Sequence, residues 1–195
     1  MSSTLALIVG LGNPGSKYEH TRHNAGADFV SALARAYGGN FKPEPKFKAQ
    51  IAKILIQGQE VRLMIPEVFM NLSGQCVGPA ANFFKLSPSA ILVAHDELDL
   101  PPGEVRFKHD GGHGGHNGLR DIISALGNKK DFYRLRLGIG HPGAAPMVSN
   151  YVLSKAPPLD RQKLDACIDE AVNCLPDAVK GDWSRAMNKL NGFKA

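Results

Sequence analysis

Residues 5–15 read LALIVGLGNPG, and this stretch decides the class of fold. An unbroken apolar run from Leu5 to Val9 predicts a buried strand. The glycines and the proline that follow predict a tight turn, which would present the Asn13 side chain at the carboxyl end of that strand. Ligand sites of open α/β sheets lie at such strand ends, so Asn13 is the first candidate site residue.

Strands and helices alternate along the rest of the chain. The apolar patterns predict strands at residues 47–56, 61–65, 89–95, 104–108 and 133–139. Helices are predicted at residues 24–37, 71–86 and 117–126, after Pro158, and at 182–191, with Asn24 as the N-cap of the first. This alternation predicts an α/β fold in a single domain over residues 1–195. Adjacent strands joined near Gly58 predict a mixed, mostly parallel, twisted sheet flanked by helices.

The composition of the 195 residues is that of an ordinary globular protein with a net charge of +5. No apolar run reaches the ~18 residues of a membrane span, and the N-terminus lacks the basic start and cleavage site of a signal peptide. We therefore expect a cytoplasmic protein without a membrane partner. Three cysteines without a CxxC pair indicate neither a disulfide framework nor a zinc knuckle, and we expect Cys167 and Cys174 to pack in the core.

The turn at residues 10–15 also matches the GxGxxG pattern of dinucleotide sites. In those sites a helix begins at the glycines, so that its N-terminus meets the pyrophosphate. Here a polar loop up to His23 separates the turn from the predicted helix. A second strand ending in an acidic residue should follow about 20 positions on, but Phe29 and Leu33 lie there in the predicted helix. The pattern therefore favours a tight turn over a cofactor site.

Two other segments place polar side chains near strand ends. Asp96, Glu97 and Asp99 follow an apolar strand, and we expect Asp96 to point into a cleft and the other two to be solvated. The sequence GGHGGHNG at residues 111–118 has two interpretations. Its glycines would let the backbone approach a ligand, or it is a flexible loop before a helix that Asn117 caps.

Seven histidines lie between His20 and His141, and they suggest either a metal site or a general base. The chain has no HExxH motif, and His113 and His116 lie in a glycine-rich loop that fixes no coordination geometry, so we expect no metal. The GxSxG motif of serine hydrolases is also absent. Hydrolysis by this protein would therefore use water, and histidine, with a pKa of about 6.5, suits the base.

Several segments together resemble one family. They are GLGNPG and TRHNAG at residues 10–15 and 21–26, FMNLSG at 69–74, HDELDLP at 95–101, GGHNG at 114–118 and YRLRLGIGHP at 133–142. In this order they closely resemble the bacterial-type peptidyl-tRNA hydrolases. The resemblance implies a monomeric esterase with one domain and a mixed sheet, active without metal or cofactor. Its partner would be peptidyl-tRNA, contacted at the acceptor stem and CCA end.

The resemblance also implies roles for individual residues. His23 would be the catalytic base and Asp96 its partner. Lys108 and Arg136 would hold the 5′ phosphate of the acceptor stem. The residues that bind substrate would be Asn13, Tyr18, Met70, Asn71, His116 and Asn117.

The chemistry of these residue types fits ester hydrolysis. An ester is activated compared with an amide, so a water deprotonated by neutral His23 can attack it while Asp96 accepts a hydrogen bond from the other ring nitrogen. Asn13 and Asn117 can donate N–H groups to the carbonyl oxygen without adding charge. An amide side chain such as that of Asn71 can also pair with a peptide backbone, whatever the peptide's side chains.

The positive net charge fits a polyanionic partner. Lys129, Lys130 and Arg134 could extend a basic face beyond the phosphate pair. One departure from the family pattern follows Gly143, where many relatives carry charged residues and this chain has AAP at residues 144–146. The departure weakens the case for a tRNA contact in that loop.

Two other functions stay open at this point. Plant organelle splicing factors resemble the same family and bind RNA without cleaving esters, but such a binder need not keep His23 with Asp96. A hydrolase of small molecules could use the same cleft. Comparing the cleavage of an acylated tRNA with that of a simple ester separates this last case.

Overall fold

Seven strands form one sheet at the centre of the structure, a computed structural model that describes residues 4–195. The strands are β1 (Leu7–Gly10), β2 (Lys42–Glu44), β3 (Ala49–Ile56), β4 (Gln59–Pro66), β5 (Ile91–Glu97), β6 (Val105–His109) and β7 (Tyr133–Gly138). Across the sheet their order is β2-β3-β4-β1-β5-β7-β6. The central strands β4, β1, β5 and β7 run parallel, whereas β2, β3 and β6 pair antiparallel with their neighbours. The predicted mixed sheet is confirmed.

The parallel strands bring their polar carboxyl ends to one edge of the sheet. β1 pairs with β5 up to Gly10 opposite Ala94, so the turn with Asn13 emerges beside the end of β5. Asp96 lies inside β5 and not just after it, because β5 continues to Glu97 by pairing with β7. The register of the sheet therefore places the Asn13 turn and Asp96 next to each other.

Helices cover both faces of the sheet, which confirms the predicted α/β fold. They are α1 (Ala25–Ala36), α2 (Gly74–Phe83), α3 (Asn117–Ala125), α4 (Val148–Val152), α5 (Pro158–Val179) and α6 (Trp183–Leu190). Buried residues of α1, α5 and α6 form one core with the sheet, and those of α2 and α3 form a second core. Within residues 4–195, no helix combines the length and the apolar character that crossing a membrane requires.

Two glycines let α1 approach the sheet closely. A Cβ atom at Gly26 would lie 2.1 Å from the carbonyl oxygen of Ala94 in β5, and one at Gly10 would lie 2.4 Å from the carbonyl oxygen of Gly26. Any side chain at either position would therefore push the helix away from β1 and β5. Since His23 lies two residues before α1, this contact helps to set its height above β5.

The structure contains two elements that the sequence patterns do not predict. The strand β2 has the sequence KPE, without apolar alternation, and it forms because its residues pair with residues 49–51 of β3. The helix α4 is only five residues long, and the patterns leave it as loop. The cysteines behave as expected: Cys167 and Cys174 are buried, and burial raises the pKa of each thiol to about 11.

Candidate active site

His23 and Asp96 form a hydrogen-bonded pair at the carboxyl end of β5. His23 lies in a short 3₁₀ turn, Arg22–Asn24, that leads into α1. Its Nδ1 atom is 2.9 Å from Oδ2 of Asp96, and the two side chains are 12% and 2% exposed. Because a carboxylate only accepts hydrogen bonds, Nδ1 carries a proton, and in the neutral ring Nε2 keeps its lone pair. This is the tautomer that a general base needs.

His116 occupies the second oxygen of Asp96. It is the N-cap of α3, where its Nδ1 atom accepts hydrogen bonds from the N–H groups of Gly118 and Leu119 at 3.1 and 3.3 Å. Nδ1 is therefore unprotonated, and Nε2 donates to Oδ1 of Asp96 at 2.8 Å. The cap expected at Asn117 is in fact one residue earlier, because the histidine ring reaches both N–H groups.

The charge of Asp96 sets the electrostatics of the pair. Burial alone would raise the pKa of Asp96, but His23 and His116 lower it well below its ordinary value, so the carboxylate stays ionised. For His23, burial lowers the pKa, while the charge and the hydrogen bond of Asp96 outweigh it and raise the pKa above 6.5. The imidazolium form that arises when His23 accepts a proton is thereby stabilised.

Asn13 is held in one orientation beside this pair. Asn24 accepts a hydrogen bond from the N–H of Asn13 at 2.8 Å and donates one to its C=O at 3.0 Å. The side-chain oxygen of Asn13 accepts from the N–H of Met70 at 2.7 Å, which leaves its NH₂ group to donate elsewhere. The predicted capping role of Asn24 is wrong, because its side chain serves the Asn13 turn and makes no capping bond with α1.

A groove of about 500 Å³ opens over these residues. Of the predicted substrate-binding residues, the groove is lined by Asn13, Met70, Asn71, His116 and Asn117, together with His23 and Asp96. Tyr18 does not line it but packs edge-on against Phe69 on its rim, with the ring centroids 6.2 Å apart. The structure thus brings together predicted residues from five separate segments of the sequence, and Tyr18 is connected to the groove only through its neighbour Phe69.

Lys108 and Arg136 line a separate, smaller pocket of about 290 Å³. They lie on β6 and β7, and this pocket shares a wall with the groove, formed by His95, Glu97, His113 and Gly114. Nε of Arg136 donates a hydrogen bond to the carboxylate of Glu97 at 2.8 Å. The expectation that Glu97 is merely solvated is therefore wrong, because the half-buried carboxylate forms an ion pair with the guanidinium of Arg136. Asp99 is exposed, as expected.

Arg134 is buried under the glycine-rich loop. Its guanidinium donates to the carbonyl oxygens of Gly111 and Gly112, and to that of Lys130 at 3.1 Å. The prediction that Arg134 extends the exposed basic face is therefore wrong, because the glycine-rich loop covers its side chain and leaves 2% of its surface exposed. These bonds anchor the base of the loop and argue against a freely flexible segment.

His95 forms the wall between the groove and the basic pocket. Its Nδ1 atom lies 2.8 Å from the backbone oxygen of Asp96, and its Nε2 atom is buried without a hydrogen-bond partner. Burial, with a smaller contribution from His116, lowers the pKa of His95 to about 3, so the ring is neutral. No sequence pattern distinguishes this buried histidine from a reactive one.

The cluster of His23, Asp96 and His116 also bears on the expectation of no metal. Their ligand atoms lie within 4.8 Å of one another, a grouping that could hold an ion. In the structure Nδ1 of His23 and Nε2 of His116 are each hydrogen-bonded to one oxygen of Asp96. The arrangement supplies what a histidine base needs, and metal independence stays a prediction.

The helix α4, which the sequence patterns missed, forms one wall of the groove. Arg22 holds it in place: its guanidinium donates to Tyr151 O at 3.0 Å and Ser154 Oγ at 2.6 Å, and lies 3.8 Å from the Tyr151 ring centroid. The only sequence signal for this wall is the spacing of Val148 and Val152 by one helical turn.

Comparisons with known proteins agree with this geometry. The model of the family described as peptidyl-tRNA hydrolase matches residues 7–195. Peptidyl-tRNA hydrolases of Azotobacter vinelandii and Pseudomonas fluorescens are 56% and 58% identical over 193 residues, which cover 99% of this chain and 100% of theirs. The crystal structure of peptidyl-tRNA hydrolase from Acinetobacter baumannii has a TM-score of 0.96 and 49% identity, covering 100% of this chain and 98% of that one. The chain belongs to the peptidyl-tRNA hydrolase family.

Proposed function

We propose that the protein hydrolyses the ester between a peptide and the 3′ ribose of tRNA, and so recycles tRNA from prematurely released peptidyl-tRNA. The observation that carries the proposal is the arrangement of His23, Asp96 and His116 in the open groove. It leaves the Nε2 lone pair of His23 free to take a proton. Membership of the family, with relatives matched over their full length, supports the choice of substrate.

In the proposed reaction, Nε2 of His23 takes a proton from water as the water oxygen bonds to the ester carbonyl carbon. Asp96 accepts the Nδ1 hydrogen bond throughout and stabilises the imidazolium. The bond to the ribose oxygen then breaks, and His23 returns the proton to that oxygen. The products are a free peptide carboxyl group and a tRNA hydroxyl group, with no covalent enzyme intermediate.

The hydrogen bonds that the asparagine side chains already make indicate which part of the substrate each one contacts. Asn13 has only its NH₂ group left, so we assign it to the developing oxyanion. Asn117 accepts from Arg120 at 3.0 Å through its oxygen, and its NH₂ group is likewise a donor toward the groove. Asn71 is exposed and makes no hydrogen bond of this kind, so it suits the peptide backbone, with Met70 beneath.

The second pocket would bind the tRNA part of the substrate. Lys108 and Arg136 would hold the 5′ phosphate of the acceptor stem, with Arg136 oriented by Glu97. The exposed Lys129 and Lys130 would add a weaker contact with the stem, while Tyr18 supports the rim near the CCA end through Phe69. The protein would act as a cytoplasmic monomer without a cofactor.

The test is the rate of deacylation of an N-acetyl-aminoacyl-tRNA against a simple ester of the same acyl group. The proposal requires rapid cleavage of the tRNA ester and slow cleavage of the simple one. Equal rates would favour a small-molecule hydrolase, and tight tRNA binding without cleavage would favour an RNA-binding protein.

A further inference from the structure

The groove has an apolar wall that the proposed chemistry does not use. Ala145, Val148, Val152 and Leu153, from α4 and the residues next to it, line one side of the groove. Val148 and Val152 are one helical turn apart, so both face the same way. Phe69, which comes just before the short 3₁₀ helix Met70–Leu72, also lines the groove.

Large apolar side chains are left exposed around the groove. Phe69 is 55% exposed and Leu153 is 39% exposed, although both line the groove. Leu72 and Met147, at 37% and 53%, belong to the short 3₁₀ helices beside them. Apolar surface kept exposed around a cleft marks a binding site for apolar groups.

The charges around the groove are all engaged. Asp96 is bonded through both oxygens, and Glu97 is paired with Arg136. Neither carboxylate is therefore available to a charged side chain of the substrate, and residues 144–147, AAPM, add no charge to the rim.

The two pockets also fix the direction of the substrate. Lys108, Arg134 and Arg136 lie around the smaller pocket, on the far side of His95 and His113 from α4. The phosphates of a tRNA are attracted to that side. With the ester at His23, the acyl group must then extend along the α4 side.

We propose that the wall of Ala145, Val148, Val152 and Leu153 is a subsite for the side chain of the residue esterified to tRNA. The protein would then cleave esters of apolar residues faster than those of acidic ones. The inference rests on the proposed function. It differs from recognition through the peptide backbone alone, which would be indifferent to side chains.

The experiment compares N-acetyl-leucyl and N-acetyl-aspartyl esters on the same tRNA, each corrected for its uncatalysed rate. We expect kcat/KM to favour the leucyl ester by about tenfold or more, as differences in apolar contact typically do. Val148→Lys should reduce this preference by about tenfold, because an ammonium group attracts the aspartyl side chain. The matched control is Leu159→Lys, since Leu159 is 63% exposed and does not line the groove.

Leu153→Ser, a smaller change at an exposed position, should weaken the preference for leucyl in the same direction. Equal kcat/KM values for the two esters, or a preference unchanged in both Val148→Lys and Leu153→Ser, would overturn the subsite while leaving ester hydrolysis intact. Failure to cleave either ester would overturn the proposed function, and the subsite with it.

Discussion

The groove and the basic pocket share a wall, yet they hold their polar groups in different ways. In the groove, Asp96 fixes the tautomers of both His23 and His116, and every one of these bonds is largely buried. In the basic pocket, Lys108 is exposed and Arg136 is restrained only by Glu97. Fixed, desolvated groups suit bond breaking, whereas more exposed charges suit attraction of a phosphate. Changes in the groove should therefore lower kcat, and changes in the basic pocket should raise KM.

The largest effect should come from His23→Ala. Loss of a general base costs about 10²–10⁴-fold in rate, so kcat for N-acetyl-aminoacyl-tRNA should fall by that factor while KM changes little. Steady-state kinetics measure both values. His20→Ala is a matched control, because His20 is exposed and lies outside the groove. Near-normal kcat in His23→Ala would show that His23 is not the general base and that the groove does not differ from the basic pocket in this way.

Asp96→Asn should have the next largest effect, about 10²-fold on the plateau rate, because the amide no longer fixes the reactive tautomer. In the proposed mechanism neutral His23 is the active form, so the rate should rise with pH through its pKa, which Asp96 raises above 6.5. Removing the carboxylate charge lowers this pKa, and the acidic limb of the pH–rate profile should move to lower pH. A limb that stays in place would show that another group titrates.

Lys108→Ala should act on the other side of the wall. We expect a several-fold higher KM with kcat unchanged, and a slope of log KM against log salt that is smaller by about 1. Kinetics at several salt concentrations measure this slope. Lys53→Ala removes an exposed charge from β3, away from both pockets, and should leave it unchanged. A lower kcat with an unaltered salt slope would indicate that Lys108 takes part in ester cleavage and does not bind a phosphate.

Chelation should have the smallest effect. If His23, Asp96 and His116 act through their hydrogen bonds, dialysis against a chelator should leave kcat unchanged. A fall in kcat that returns on adding back a divalent ion would instead assign the cluster to a metal.

The sequence alone predicted six of the seven strands, all except β2, and much of the groove. Asn13 follows β1 and Asp96 lies near the end of β5, and the pairing of these buried parallel strands brings the two segments together. The sequence could not show that Arg134 is buried and Arg136 is not. Both residues lie on the same face of β7, and only the overlying loop decides which one is buried.

The apolar wall was harder to predict for a different reason. The helix α4 is too short for a periodic pattern, and its position depends on the buried Arg22, far away in the sequence. Similarly, Asn24 has the residue type of a helix cap, and only the tertiary structure shows that it clamps the Asn13 turn.

The contact between Gly26 and Ala94 has a consequence for how this protein can vary. A methyl group at residue 26 would overlap the β5 backbone and lift α1, carrying the imidazole away from the carboxylate below. The distance between the His23 ring and the Asp96 carboxylate thus depends on Gly26 having no side chain. Mutational libraries should tolerate almost nothing at this position, even though it never meets the substrate.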